Sequence, residues 1–188
     1  ELVNALDAGK GPDIFAVADR KLAAHRDKIQ PLKNGTLGYD RRELQTTFAD
    51  AVAQGIVDDT GALLGTPLAF DTLALLYNRD ALNSANIPNP PRTWEELGEQ
   101  ARALTRLSEV GSITRSGLAL GTATNVEHSS DILALLLYQS GRKIIDPATN
   151  ESDLTKSLAA EQVLSFYTSF SDPTKRGYSW NSFFRNSL

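Results

Sequence analysis

The sequence contains no cysteine and no methionine, and only two histidines among its 188 residues. Zero cysteine excludes zinc–thiolate sites, iron–sulfur clusters, cysteine nucleophiles and disulfide frameworks together. Zero methionine is unexpected of a complete translated chain, which begins with one, so the residues read as those of a processed or cut polypeptide. Charge of one sign is also scarce: the net charge is −4 and no basic run occurs. That disfavours nucleic acid or an anionic membrane surface as partner. Long hydrophobic runs are missing as well. The longest, Ile132 to Tyr138, is far too short to cross a bilayer. No signal-peptide pattern stands at the start, because residue 1 already lies in a helical pattern.

What is present is ordinary globular composition, 41% hydrophobic and 22% charged, with 13 Gly and 8 Pro. A chain of this length buries enough surface to hold a core without metals or disulfides. Leu2, Val3, Ala5 and Leu6 make the stripe of a first helix, which stops at the turn Gly9 to Pro12. Ile14–Ala18 is uniformly apolar and predicts a short buried strand. A short helix is expected over Lys21 to Lys28, turns over Pro31 to Tyr39, and a helix over Glu43 to Gln54 with Leu44, Phe48 and Val52 four apart. Asp58-Asp59-Thr60-Gly61 is a turn, and Leu63 to Tyr77 a long extended stretch, bent or at an edge near Pro67.

Pro88, Pro90 and Pro91 stiffen the next connection and mark a candidate seam. Thr93-Trp94-Glu95-Glu96 is a capping box opening a helix that runs to about Leu107. Gly117–Gly121 predicts a strand feeding the loop Thr122 to His128, and Ser129, Ser130 and Asp131 cap a strongly apolar helix over Ile132 to Gln139. Asp146 to Ser152 is polar loop, Leu154 to Phe170 is helical, and Tyr178 to Asn181 is aromatic and polar without a period. Strands alternating with helices give an α/β class.

The chemistry of catalysis is sparse. Phosphate-binding glycine loops, dinucleotide fingerprints and the Gly-x-Ser-x-Gly elbow do not occur. Glu127, His128 and Asp131 contain metal-ligand residue types, but adjacent residues point in different directions, and a polar loop with a helix cap accounts for them. Neither a metal nor a cofactor is therefore expected. Glu95 and Glu96 sit where carboxylates stabilise a helix N-terminus. Asp71 is different, because a lone carboxylate interrupts the apolar run Leu68 to Tyr77. Such a group must meet a paired donor, water or a ligand. Asp19-Arg20, after the first predicted strand, raises the same question, with a helix cap as its plain structural alternative.

Three landmarks in order carry a resemblance. Gly11-Pro12-Asp13-Ile14 with Asp19-Arg20 is the first, and Thr66 to Asp80 is the second. The third is Ile87-Pro88 through Pro91-Arg92-Thr93-Trp94-Glu95-Glu96-Leu97. Together they resemble the extracellular solute-binding proteins of ABC importers. The resemblance implies a two-lobe periplasmic-binding-protein fold, here incomplete. Residues 1–80 would be part of the first lobe, ending in the crossing strand, and residues 81–188 the opening part of the second. It implies binding without catalysis, a small polar solute with sugars favoured, delivery to an ABC permease, and a place outside the cytoplasmic membrane, periplasmic or anchored at its outer face. A monomer is implied for the full-length protein.

The residues that the resemblance marks are few. Asp19 and Arg20 match a pair contacting sugar hydroxyls, and Asp71, with Thr72 beside it, matches a carboxylate on the crossing strand. Asn125, Glu127 and His128 stand in a ligand-facing loop. Trp180 matches a region that presents an aromatic to the cleft, with core packing as the alternative. Ala16-Val17 occupy the place of a stacking aromatic, which argues against a stacked maltodextrin-type ligand. Two other classes stay open on the residues: a glycoside hydrolase using Asp71 with Asp19 or Glu127, and a non-binding fragment that self-associates through unpaired sheet edges.

Overall fold

The computed structural model describes residues 1–33, 41–58, 60–142, 144–145, 152, 154 and 157–185; the side chains of Arg20, Ala23, Arg41, Ala53 and Gln54 lie outside the description. The chain forms two compact units, Glu1–Thr72 and Leu73–Leu188. Among the described residues it mixes helices with one small sheet, and no helix is long and apolar enough to cross a membrane.

In the first unit, helix α1 spans Leu2–Asp7 and gives way at Gly9, whose positive φ of 65° suits a residue without Cβ. Two 3-10 turns follow, Asp19–Lys21 and Ala23–Lys28. Lys28 bridges Asp7 and Asp27 and so ties α1 to the second turn. The helix expected over Glu43 to Gln54 is instead two, α2 (Arg41–Thr47) and α3 (Asp50–Ile56), because Ala49 turns to extended backbone (φ −59°, ψ 144°). Leu44, Phe48 and Val52 nevertheless meet one core, built on Leu22, Leu44, Ile56 and Leu63. Spacing of four reports a shared face, and a break between two short helices preserves it.

Asp58 organises the predicted turn, of which Asp59 lies outside the described residues. Its Oδ1 accepts from the Thr60 amide (2.9 Å), the Thr60 hydroxyl (2.6 Å) and the Ala62 amide (2.9 Å), while Oδ2 pairs with Arg26 at 3.1 Å. This sets Leu63 to bridge both Leu32 and Val57.

The second unit begins with irregular residues leading to α4 (Arg79–Ser84), capped by Asn78, whose side chain accepts from the Ala81 amide at 3.0 Å. Helix α5 covers Trp94–Leu104. Its capping box is real: Thr93 Oγ accepts from the Glu96 amide at 3.2 Å, and Glu96 reaches back to the Arg92 amide at 2.7 Å. The helix stops three residues before the expected Leu107, where Thr105 turns its hydroxyl onto Ala101 O (2.7 Å) and the chain enters strand β1, Arg106–Leu107. That strand pairs antiparallel with β2, Ile113–Arg115. Helix α6 (Ser129–Gln139) starts earlier than its apolar stripe suggested, and α7 (Leu158–Ser169) later, on the Ser157 cap. The expected loop over Asp146 to Ser152 lies outside the described residues except for Ser152.

Ala101, Leu120, Leu136, Tyr167 and Phe170 form the second core. Phe166 stands edge-on to both Trp94 (6.1 Å) and Phe170 (5.2 Å), the arrangement that aromatic quadrupoles favour. Gly117 is required here, because a Cβ at that position would lie 2.1 Å from Ala101 O.

Three predicted strands are not strands. Ile14–Ala18, Leu63 to Tyr77 (apart from the Leu63 bridges) and Gly117–Gly121 carry no ladder. Ile14 and Leu68 are each 90% exposed. Apolar sequence supplies side chains for a buried strand, but a strand exists only when a neighbour takes its amides and carbonyls. None of the described residues fills that place. Among the described residues the strands of the expected α/β class are accordingly limited to one small two-stranded sheet.

Candidate functional site

The most heavily tied irregular segment lies in the second unit, the loop from Gly121 to His128. Gly121 has φ +103°, and a Cβ there would meet Ser171 N at 2.7 Å, so glycine permits both the backbone turn and the close approach. Ser171 Oγ donates to Gly121 O (2.9 Å), Tyr167 Oη to Thr122 O (2.8 Å) and Ser129 Oγ to Ala123 O (3.3 Å). Burial pushes the Tyr167 phenol above its usual range, which keeps it a donor.

Asn125 is the centre of this arrangement and is buried. Its Nδ2 donates to Asn181 O (3.0 Å) and Phe184 O (2.8 Å). Its Oδ1 accepts from Trp180 Nε1 (3.2 Å) and from the Thr122 hydroxyl. All four bonding positions of the carboxamide are therefore taken by the protein. Trp180 is buried and lies flat on Phe184, with ring centroids 4.6 Å apart and planes within 15°. Fully buried Ser179 adds a bond from Oγ to Leu118 O at 3.0 Å. The outcome is a loop and a turn, residues 121–128 and 179–184, locked together by one carboxamide.

Outward from this lock the groups are accessible. Glu127 and His128 are exposed, as are Ala123 and Thr124, and Phe183 at the tip of the turn is 95% exposed. His128 has φ 57°, a left-handed conformation uncommon for a side chain other than Asn, Asp or Gly, and its Nδ1 lies 3.0 Å from Asp131 Oδ2. Asp131 stands in the first turn of α6, whose N-cap is His128 with no side-chain capping hydrogen bond, so the cap expected from Ser129, Ser130 and Asp131 is not formed. No group of three or more possible metal ligands occurs among the described residues.

The other expected site residues lie in the first unit. Asp19 is the first residue of the 3-10 turn Asp19–Lys21, whose N-cap is Ala18 with no side-chain capping hydrogen bond, and the side chain of Arg20 lies outside the description. Asp71 is exposed rather than buried, and its Oδ1 accepts from the Thr72 amide at 2.8 Å. Solvent therefore meets the carboxylate, one of the alternatives open at the outset. The structure thus brings Asn125 and Trp180 into direct contact and keeps Glu127 and His128 on the same loop. It also adds groups that the sequence reading did not single out: Tyr167, Ser171, Asn181, Phe183 and Phe184. Asn181 falls in the aromatic, polar stretch without a period and Tyr167 in the expected helix Leu154 to Phe170, while no pattern marked Ser171, Phe183 and Phe184.

Comparison with known proteins gives the context. Residues 1–169 match the family model described as bacterial extracellular solute-binding protein. The sn-glycerol-3-phosphate-binding periplasmic protein of Yersinia enterocolitica is 32% identical over 111 residues, which cover 54% of this chain and 24% of that protein. Its namesake in Yersinia pestis is 30% identical over the same length and shares. A protein of Brucella abortus named only as a binding protein is 29% identical over 109 residues, 57% of this chain and 25% of its own. The aligned part thus spans about a quarter of the length of these curated relatives. No solved structure matches the chain significantly. With nine-tenths of its residues inside one family model, the chain belongs to the bacterial extracellular solute-binding protein family.

Proposed function

We propose that this chain is part of an extracytoplasmic solute-binding subunit of an ABC importer, taking a small polyhydroxylated solute, a sugar or a polyol, without changing it covalently. The family match over residues 1–169 carries this reading. In it, residues 1–80 belong to a first lobe and 81–188 to a second, and the compact units divide at Thr72/Leu73, inside the stretch assigned to the crossing strand. Solute selects a closed arrangement by touching both lobes, and a permease accepts that arrangement.

The loop at 121–128 supplies the second lobe's contribution. A solute-facing loop must hold its shape before the solute arrives, since ordering it on binding would subtract from affinity. The Asn125 lock provides that order, so Asn125 and Trp180 act as positioning residues. Contact falls to the accessible Glu127 and His128, with Phe183 offering an aromatic face to the apolar side of a ring. Asp19, Arg20, Asp71 and Thr72 are the first lobe's candidates.

The test is a thermal-shift series on the product of the complete gene with glucose, maltose, trehalose, glycerol and sn-glycerol 3-phosphate. A solute at about one hundred times its Kd stabilises by about 2.7 kcal/mol, a rise of several degrees. Glu127→Gln lowers the affinity of that solute while leaving the unliganded melting temperature in place. If no member of the panel moves the transition, the reading falls. The phosphate ester acting alone would shift the solute class to polyol phosphates.

A further inference from the structure

Three consecutive carbonyls of the loop 121–128 are each held by a side-chain hydroxyl. Ser171 Oγ donates to Gly121 O at 2.9 Å, Tyr167 Oη to Thr122 O at 2.8 Å and Ser129 Oγ to Ala123 O at 3.3 Å. Ser171 Oγ also lies 3.0 Å from Thr168 O. The Tyr167 and Ser171 bonds reach across 45 and 50 residues, whereas the neighbouring hydroxyls of Thr168 and Ser169 return to carbonyls of α7 itself. No described peptide bond is cis, so each N–H points opposite to the carbonyl of the residue before it. With the carbonyls of 121–123 turned onto the hydroxyls, the N–H groups of Thr122, Ala123 and Thr124 turn away from them. Among the described residues none of these three donors has a hydrogen-bond partner, and Ala123 and Thr124 are exposed.

A loop carbonyl can bond water instead, so satisfying it does not call for protein hydroxyls, least of all one on a residue that is 5% exposed. What the hydroxyls add is orientation. They fix the peptide planes, and with them the directions of the three N–H groups. Main-chain N–H groups only donate, and donors fixed before a solute arrives take an oxygen acceptor without an ordering cost. An ammonium group, with no lone pair to offer, is refused. We propose that the main-chain N–H groups of Thr122, Ala123 and Thr124 bind an oxygen of the solute, from a hydroxyl or a phosphate, and that Tyr167 and Ser171 are the positioning residues that aim them. The inference rests on the solute-binding reading and adds the element that selects an oxygen-bearing end of the solute. It is separate from the Asn125 carboxamide, which ties the loop to residues 179–184, while Tyr167 and Ser171 tie it to the end of α7.

Residue-resolved amide hydrogen exchange and solute affinity decide it, both read in the product of the complete gene. The probes are glucose, maltose, trehalose, glycerol and sn-glycerol 3-phosphate. A saturating probe slows exchange at Thr122, Ala123 and Thr124 by about 10-fold. Tyr167→Phe and Ser171→Ala each lower the affinity of that probe about 10-fold and weaken the protection of the three amides. Ser169→Ala, whose hydroxyl bonds within α7, changes neither. Protection by glycerol or a sugar assigns the bound oxygen to a hydroxyl, and protection by the phosphate ester alone assigns it to the phosphate. If Tyr167→Phe and Ser171→Ala lower the melting temperature but keep affinity and protection, the hydroxyls serve stability alone and the proposal is overturned. Ser171→Ala decides the point by itself where Tyr167→Phe does not fold. A thermal shift with unchanged exchange at the three amides defeats this inference and leaves the solute-binding reading intact. No thermal shift with any probe defeats both.

Discussion

The two units reach stability by different routes. In Glu1–Thr72 the core is aliphatic at its centre, Leu22, Leu44, Ile56 and Leu63, and the elements around it are short. Order there rests on the Asp58 turn, the isolated bridges at Leu63 and the ion pairs of Arg26 and Lys28. In Leu73–Leu188 the centre is aromatic, with Phe170 1% exposed beside Tyr167, and longer helices α5, α6 and α7 converge on it. Its irregular segments are held by side chains reaching across tens of residues, as when Tyr167 bonds Thr122 O and Asn125 bonds Phe184 O. Longer helices and aromatic anchors give the second unit the rigidity to hold a shaped loop. The first unit offers its candidate groups on irregular or turn backbone instead.

Both tryptophans, Trp94 and Trp180, lie in the second unit, so fluorescence reads that unit while far-UV circular dichroism reads both. Phe170→Ala opens the aromatic core and costs about 3–5 kcal/mol, which removes most or all of the fluorescence-detected denaturant transition. Leu44→Ala, costing about 2–5 kcal/mol, changes the dichroism and leaves the tryptophan transition in place. A fluorescence midpoint that moves equally in both variants would dissolve the distinction, since the units would then unfold as one.

Asn125→Ala has a smaller effect of a different kind. It strands the Trp180 N–H and the Asn181 and Phe184 carbonyls, for about 1–3 kcal/mol. It also releases Trp180 toward solvent, seen as a red-shifted emission with little change in dichroism. An unchanged emission maximum would mean that the loop and turn hold together without the carboxamide.

The smallest effect belongs to the first unit and to acid. The Thr60 hydroxyl holds the Asp58 carboxyl below its ordinary value of 3.8; burial opposes it, and the Ala62 and Thr60 amides and Arg26 add to the lowering. The native state therefore prefers the ionised form. Its contribution is complete above the unfolded pKa and disappears as pH falls through the lower folded value. Acid titration of the dichroism should show a loss below about pH 4 that is weakened in Asp58→Asn. Identical acid profiles would transfer that sensitivity to other carboxylates.

Much of the helical framework was legible. The caps at Thr93 and the stop near Gly9 are read from residues within four positions of each other, and the structure has both. The limits of α5 and α7 were less legible, because Thr105 and Ser157 redirect the chain through contacts that apolar spacing does not encode. The hairpin β1–β2 had no expectation at all. Its strands are too short for alternation to register, and Gly111, at φ 79°, was its one turn signal. For the site, the loop 122–128 was legible as a loop, and Asn125 and Trp180 as notable residues. Their partnership was not legible.

The sequence by itself determined where α5 begins, the absence of cysteine chemistry, and the three ordered landmarks of the solute-binding family. Hydrogen bonds between residues three or four apart are sufficient for that cap, and composition for the chemistry. Only the tertiary structure decided that Asn125 and Trp180, 55 residues apart, face each other, that Gly117 must lack a side chain beneath Ala101, and that Asp71 meets water. Those outcomes depend on which group arrives beside which in space. A strand shows the same dependence: its own residues make it apolar, and its neighbour makes it a strand.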